Sequence, residues 1–145
     1  MADLLTNKSL QSTQFKVMEN VAPHILIVED NLAMCRVIQV ILEKAGHNVT
    51  CAHDGQSGWH AALENRFDLI ITDQQMPKMT GIELCQKLRT HDHYASTPVL
   101  MLTAKGLELD LSRLKQELGI AEIFAKPFSP AKIIKVVEEY LAPTI

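Results

Sequence analysis

Acidic, hydroxyl and basic side chains fall at the ends of short apolar runs in this chain, and together they could handle phosphate through a divalent cation. Glu29-Asp30 follows the run His24–Val28, and Asp73 follows Asp68–Thr72. Thr103 follows Pro98–Leu102, and Lys126, with Pro127 behind it, follows Glu122–Ala125. Three carboxylates in one pocket repel: unit charges ~4 Å apart at an effective dielectric of about 20 interact by roughly 4 kcal/mol. Such a cluster needs compensation, which the Lys126 ammonium and a divalent cation would supply. Carboxylates, a backbone carbonyl and waters are hard oxygen ligands that suit Mg²⁺, an ion that keeps positions open for phosphate oxygens.

The elements that must position these residues are legible as an alternation. The four runs above and Asn48–Ala52 are each of strand length and bounded by polar or turn residues. Between them lie helix-length amphipathic stretches. Leu32–Ala45 stops at Gly46, Gln56–Asn65 follows the Asp54-Gly55 turn, and Gly81–His91 carries Ile82, Cys85 and Leu88 on one stripe. Leu107, Leu111, Leu114 and Leu118 recur at helical spacing before Gly119, and a last helix opens at Ser129-Pro130 with the stripe Ile133, Val136, Val137 and Tyr140.

Strands alternating with helices imply a parallel sheet covered on both faces: an α/β, flavodoxin-like (βα)5 three-layer sandwich of strand order 2-1-3-4-5. Right-handed crossovers bring every strand's C-terminal end to one edge, with strands one and three adjacent at the switch point where ligands bind. Residues 23–142 read as this domain. Residues 1–22 read as an N-terminal extension, flexible or with a short helix around Leu10–Met18.

Composition narrows the classes. The chain has 145 residues, 47% hydrophobic and 21% charged, with a net charge of −3, which points away from general nucleic-acid or membrane-surface binding. No apolar run approaches the ~18 residues that span a bilayer, and residues 1–22 lack a signal-peptide core, so a cytoplasmic setting is expected. Cys35, Cys51 and Cys85 form no CxxC pair and read as small buried hydrophobes in a reducing compartment. His91-Asp92-His93 reads as a solvated loop end rather than a metal site, and Trp59 as a helix residue at the surface of the core.

Glu29-Asp30-Asn31, Asp73-Gln74-Gln75-Met76-Pro77, Gly81, Thr103-Ala104-Lys105 and Lys126-Pro127-Phe128, in order and each at a predicted strand end, resemble the signature of bacterial two-component response regulator receiver domains. The resemblance covers about residues 23–142 and is closest in kind to stand-alone, chemotaxis-type regulators. It implies that Asp73 is the phosphoacceptor, a carboxylate nucleophile toward phosphorus. It implies that Asp30, Asp73 and the backbone carbonyl of Gln75 bind Mg²⁺ directly, with Glu29 holding a metal-bound water. Lys126 would pair with Asp73 before reaction and with phosphoryl oxygens afterwards, and the Thr103 hydroxyl would bond the phosphoryl group once in place. Gln75 and Lys105 would flank that group and tune its hydrolysis, and the Lys126-Pro127 bond would be cis. The family's switch aromatic, three residues before the lysine, is here Ile123; Phe124 alternates to the opposite face. Ile123 would then report the switch by packing alone.

Three function classes compete: a phosphoacceptor served by a sensor histidine kinase or phosphotransfer protein, an aspartyl-phosphate phosphatase, and a pseudo-receiver that binds partners without phosphorylation. The phosphatases carry a second Asp two residues after the nucleophile as acid/base; here that residue is Gln75, which cannot titrate. The intact acidic cluster with Thr103 and Lys126 argues against the pseudo-receiver. The expectation is a non-enzymatic, stand-alone signalling module that acts by protein contacts or onward phosphotransfer. No direct nucleic-acid contact is expected. It would be a monomer or weak dimer through the helix 4–strand 5–helix 5 face.

Overall fold

A computed structural model describes residues 21–104 and 109–142. The strands are β1 (His24–Val28), β2 (Asn48–Ala52), β3 (Leu69–Asp73), β4 (Val99–Thr103) and β5 (Ile120–Ala125). The helices are α1 (Leu32–Lys44), α2 (Gly55–Glu64), α3 (Gly81–Thr90), α4 (Leu111–Leu118) and α5 (Pro130–Leu141), with a 3-10 turn at Asp92–Tyr94. The strands form one parallel sheet in the order β2-β1-β3-β4-β5, as the alternation implied.

The apolar runs are continuous because both sheet faces are covered. On one face Leu26, Val28, Ile70, Val99, Met101 and Ile120 pack with Ala62 of α2, Leu84, Cys85 and Leu88 of α3, and Leu114 of α4. On the other, Ile25, Ile27, Leu69, Ile71, Leu100 and Leu102 pack with Cys35, Ile38 and Leu42 of α1 and Ile133 and Val137 of α5. Ile123 packs on the first face and Phe124 on the second, as strand alternation requires.

Local chemistry fixes the helix starts. Asn31, Asp54 and Asp110 each accept a backbone N–H of the first turn, at 3.0, 2.7 and 3.1 Å. Thr80 and Glu83 close a reciprocal capping box on α3. Ser129 occupies the N-cap of α5 without a side-chain bond, so Pro130 at the first helical position carries that start. Gly119 ends α4 at φ 66°, a left-handed conformation that leads straight into β5.

Several boundaries shift from the sequence reading. Strands β3 and β4 each end one residue later, on Asp73 and Thr103, because backbone pairing outlasts the apolar pattern. Strand β5 begins at Ile120 rather than Glu122; a register shift at Val99/Leu100 leaves Ala121 without a partner and hides the strand's first residues from a period-two reading. Of the leucine stripe, Leu114 is buried and Leu111 and Leu118 pack beside it, while Leu107 lies outside the described residues. Cys35 and Cys85 are buried, but Cys51 is only half-buried, its thiol 3.7 Å from Gln39 Oε1. The proposed short helix around Leu10–Met18 also lies outside the described residues.

Candidate functional site

The sheet register assembles the site. Val28 pairs with Thr72, so Glu29 and Asp73 leave their strands side by side. Asp73 pairs with Leu102, which puts Thr103 one step beyond it, and Thr103 pairs with Ala125, which puts Lys126 next. The Lys126 N–H donates to the Thr103 carbonyl at 2.8 Å, and the Lys126-Pro127 peptide is cis. Parallel pairing thus lines up at one edge residues that lie up to 97 positions apart in sequence.

The Lys126 ammonium donates to Glu29 Oε1 at 3.1 Å and to Asp73 Oδ2 at 3.2 Å. Glu29 is wholly buried and Asp73 is 2% exposed, whereas Asp30 is exposed. Carboxylate oxygens of Glu29, Asp30 and Asp73 all lie within 4.8 Å of one another. Among the described residues, the Lys126 ammonium is thus the cation bonded within a cluster of three acids. Burial, and then the charge of Asp73, push the Glu29 carboxyl up to about 7 despite the bond from Lys126. Burial works against the Lys126 charge, but its bonds and proximity to Glu29 and Asp73 prevail and hold it above the usual lysine value. The other Asp73 oxygen, Oδ1, is buried with no hydrogen-bond partner among the described residues. An anionic oxygen left bare in this way is costly unless a cation completes it. The donor set, hard and acidic with one oxygen unclaimed, fits a divalent cation such as Mg²⁺.

The loop after β3 is held by contacts that sequence motifs do not announce. Gln74 donates its N–H to Leu102 O at 2.8 Å, and its side-chain Oε1 accepts the Ile82 N–H at 2.8 Å, which caps α3 beside the site. Gly81 N–H donates to Gln74 O at 3.1 Å, and a methyl group at Gly81 would overlap the Asp73 carbonyl oxygen. Only glycine allows this approach. Lys78 takes φ 71° in the same loop, a left-handed conformation uncommon for a side-chain-bearing residue. Gln75 turns its carboxamide toward β4: Nε2 donates to Thr103 Oγ1 at 3.3 Å and Oε1 accepts the Ala104 N–H at 2.9 Å. Lys105 lies outside the described residues. His53, not singled out by the sequence, places Nδ1 3.2 Å from the Glu29 carbonyl.

The residues set aside stay apart from this edge. His91 caps the 3-10 turn through Nδ1, which accepts the His93 N–H at 3.2 Å, and both rings pack against Tyr94. Trp59 packs at the margin of the core with Lys87 Nζ 5.5 Å above its ring.

The sheet order and the acidic edge place the molecule among signal receivers of two-component systems. The chain belongs to the response regulator receiver domain family, whose sequence model matches residues 25–138. It is 39% identical over 109 residues to PhoP, the alkaline phosphatase synthesis transcriptional regulatory protein of Bacillus subtilis, covering 75% of this chain and 44% of that protein. It is 36% identical over 121 residues to the transcriptional regulatory protein SrrA of Staphylococcus aureus, covering 83% of this chain and 48% of that protein. The chain thus spans about half the length of these curated relatives. The chemotaxis response regulator CheY4 of Vibrio cholerae superposes with a TM-score of 0.75 at 30% identity, covering 83% of this chain and 100% of that one. The receiver domain of the sensor histidine kinase PA1611 of Pseudomonas aeruginosa, solved with magnesium coordinated in its active site cleft, has a TM-score of 0.74 at 28% identity, covering 85% of this chain and 100% of that one. Receiver domains of this family interact with histidine kinases and downstream targets. No described helix is long and apolar enough to cross a membrane.

Proposed function

We propose that this domain, residues 23–142, accepts a phosphoryl group on Asp73 from a histidine kinase or phosphotransfer protein. The observation that carries the reading is Asp73 itself. It is buried at the sheet edge, with one oxygen on Lys126 and the other without a partner among the described residues. Asp30, Asp73 and the Gln75 carbonyl would hold Mg²⁺ directly, with Glu29 reaching it through water. The ion would neutralise charge on the entering phosphoryl group and on the cluster.

An Asp73 carboxylate oxygen forms a bond to phosphorus as the bond from phosphorus to the donor breaks, and the donor leaves with the electron pair. Lys126, already within 3.2 Å of Asp73, then pairs with phosphoryl oxygens, and Thr103 donates its hydroxyl to them. The chemistry is mainly positioning and charge neutralisation. Gln75 at the second position after the nucleophile offers no titrating group for fast hydrolysis, which favours a signalling protein over a phosphatase. Ile123 would report the change by repacking against the α3–α4 face.

The signal would pass, in the cytoplasm, through protein contacts or onward transfer, with the α4–β5–α5 face as docking or weak dimer surface. Full coverage of the chemotaxis regulator's chain supports a module that acts without an attached output domain. Half coverage of the transcriptional regulators supports the second organisation, a receiver within a longer regulator.

Site mapping tests the reading. Borohydride reduction of an acyl phosphate converts the modified aspartate to homoserine. After incubation with acetyl phosphate and Mg²⁺, homoserine is expected at position 73; homoserine at position 30 instead would contradict the assignment.

A further inference from the structure

The Gln75 carboxamide is fixed against the end of β4. Its two hydrogen bonds, one accepted from the Ala104 N–H at 2.9 Å and one donated to Thr103 Oγ1 at 3.3 Å, engage the amide and the hydroxyl oxygen at the end of β4. That end is adjacent to Asp73, whose strand pairs with β4 up to Leu102. The neighbouring Gln74 behaves differently: its side chain turns away to cap α3. Gln75 is thus aimed at β4 by its own bonds, not by the requirements of the α3 start.

A phosphoryl group on Asp73 brings strongly accepting oxygens into this corner and needs donors there. The Ala104 N–H has a single hydrogen and cannot serve both Gln75 Oε1 and a phosphoryl oxygen well. A charged oxygen is the stronger acceptor, so the exchange favours the phosphoryl group. In neither state is the Ala104 N–H left bare, which would be costly in a half-buried strand end.

We propose that the Gln75 carboxamide is a displaceable internal ligand of the phosphoryl-oxygen site, bound to Ala104 and Thr103 until phosphorylation expels it. Gln75 therefore competes with the incoming group and slows its arrival. This rests on the reading of Asp73 as the phosphoacceptor.

The test compares wild type with Gln75→Met, which keeps length but offers no amide, Gln75→Ala, and Gln75→Glu, which keeps an acceptor for the Ala104 N–H. Acetyl phosphate with Mg²⁺ is the donor, and the Ala104 amide resonance is followed by NMR before and after reaction. Loss of one neutral hydrogen bond corresponds to a rate increase of about fivefold. That increase is expected in Gln75→Met and Gln75→Ala, while Gln75→Glu stays at or below the wild-type rate. The Ala104 amide should move in unphosphorylated Gln75→Met and coincide with wild type once both are phosphorylated. Folded Met and Ala variants reacting no faster than wild type would overturn the proposal, as would an Ala104 resonance insensitive to residue 75. Wild type that takes no phosphoryl group would instead overturn the phosphoacceptor reading, and this proposal with it.

Discussion

Two half-buried cations tie distant segments of this molecule together, and they are treated in opposite ways. Arg89, on α3 away from the acidic edge, donates to four backbone carbonyls: Leu118 at 2.7 Å, Tyr94 at 2.8 Å, Thr97 at 2.7 Å and Gly119 at 3.2 Å. Its planar fork meets neutral acceptors that are fixed by the α4–β5 turn and the loop before β4. Lys126 instead faces Glu29 and Asp73, one positive charge against two buried carboxylates with Asp30 nearby. The first arrangement engages four of the five guanidinium N–H groups and holds the fold. The second sets more acid than base among the described residues and leaves Asp73 Oδ1 without a partner among them, a local cost of the kind that gathers at functional sites.

Removing the first cation is expected to cost stability and leave the chemistry, while easing the acidic mismatch is expected to do the reverse. The largest effect is expected for Arg89→Ala, which strands several carbonyls at once: a loss of about 2–3 kcal/mol in urea unfolding, with phosphorylation retained wherever the protein is folded. A variant as stable as wild type would show that the Arg89 bonds are easily replaced by water.

The pH dependence comes next. The Glu29 carboxyl, near 7 in the folded protein, keeps a proton that the unfolded chain, near 4.5, has released. Its contribution is therefore fully present below about 4.5 and lost as pH rises through about 7. In chelator, stability should fall by roughly 1–3 kcal/mol across that window, and Glu29→Gln should flatten the fall. A wild-type profile unchanged by Glu29→Gln would remove Glu29 as its source.

Asp73→Asn sharpens the contrast further. It relieves like-charge repulsion in the metal-free protein and should raise stability by about 1 kcal/mol while abolishing phosphoryl uptake. A destabilised Asn variant would mean that the Asp73–Lys126 pair, not the mismatch, dominates.

The acidic edge was legible in the sequence because each of its residues ends an apolar run, and a parallel sheet must gather strand ends. The same logic misplaced the ends of β3 and β4 by one residue: Asp73 and Thr103 still pair through their backbones after their side chains leave the apolar pattern. What held Arg89 and Tyr94 out of sight is that their roles are bonds to backbone groups as much as 32 residues away in sequence. The Tyr94 hydroxyl lies 2.7 Å from the carbonyls of both Ala62 and Asn65, a lock that no periodicity signals. Gly81 was visible as a motif residue, but its reason, the Asp73 carbonyl against its Cα, required the folded loop. The turn of the Gln75 side chain toward β4 likewise depends on where Ala104 arrives, which only the β3–β4 register decides.

The lysine-paired Asp73 is proposed to be a phosphoacceptor that depends on a divalent cation. Intact-mass analysis after incubation with acetyl phosphate and Mg²⁺ tests it most directly, with wild type, Asp73→Ala and a chelator control side by side. A one-phosphoryl adduct on wild type, missing from Asp73→Ala and from the chelated sample, is the result expected. A folded wild type that gains no adduct at any Mg²⁺ concentration, or an adduct that persists in Asp73→Ala, would contradict it.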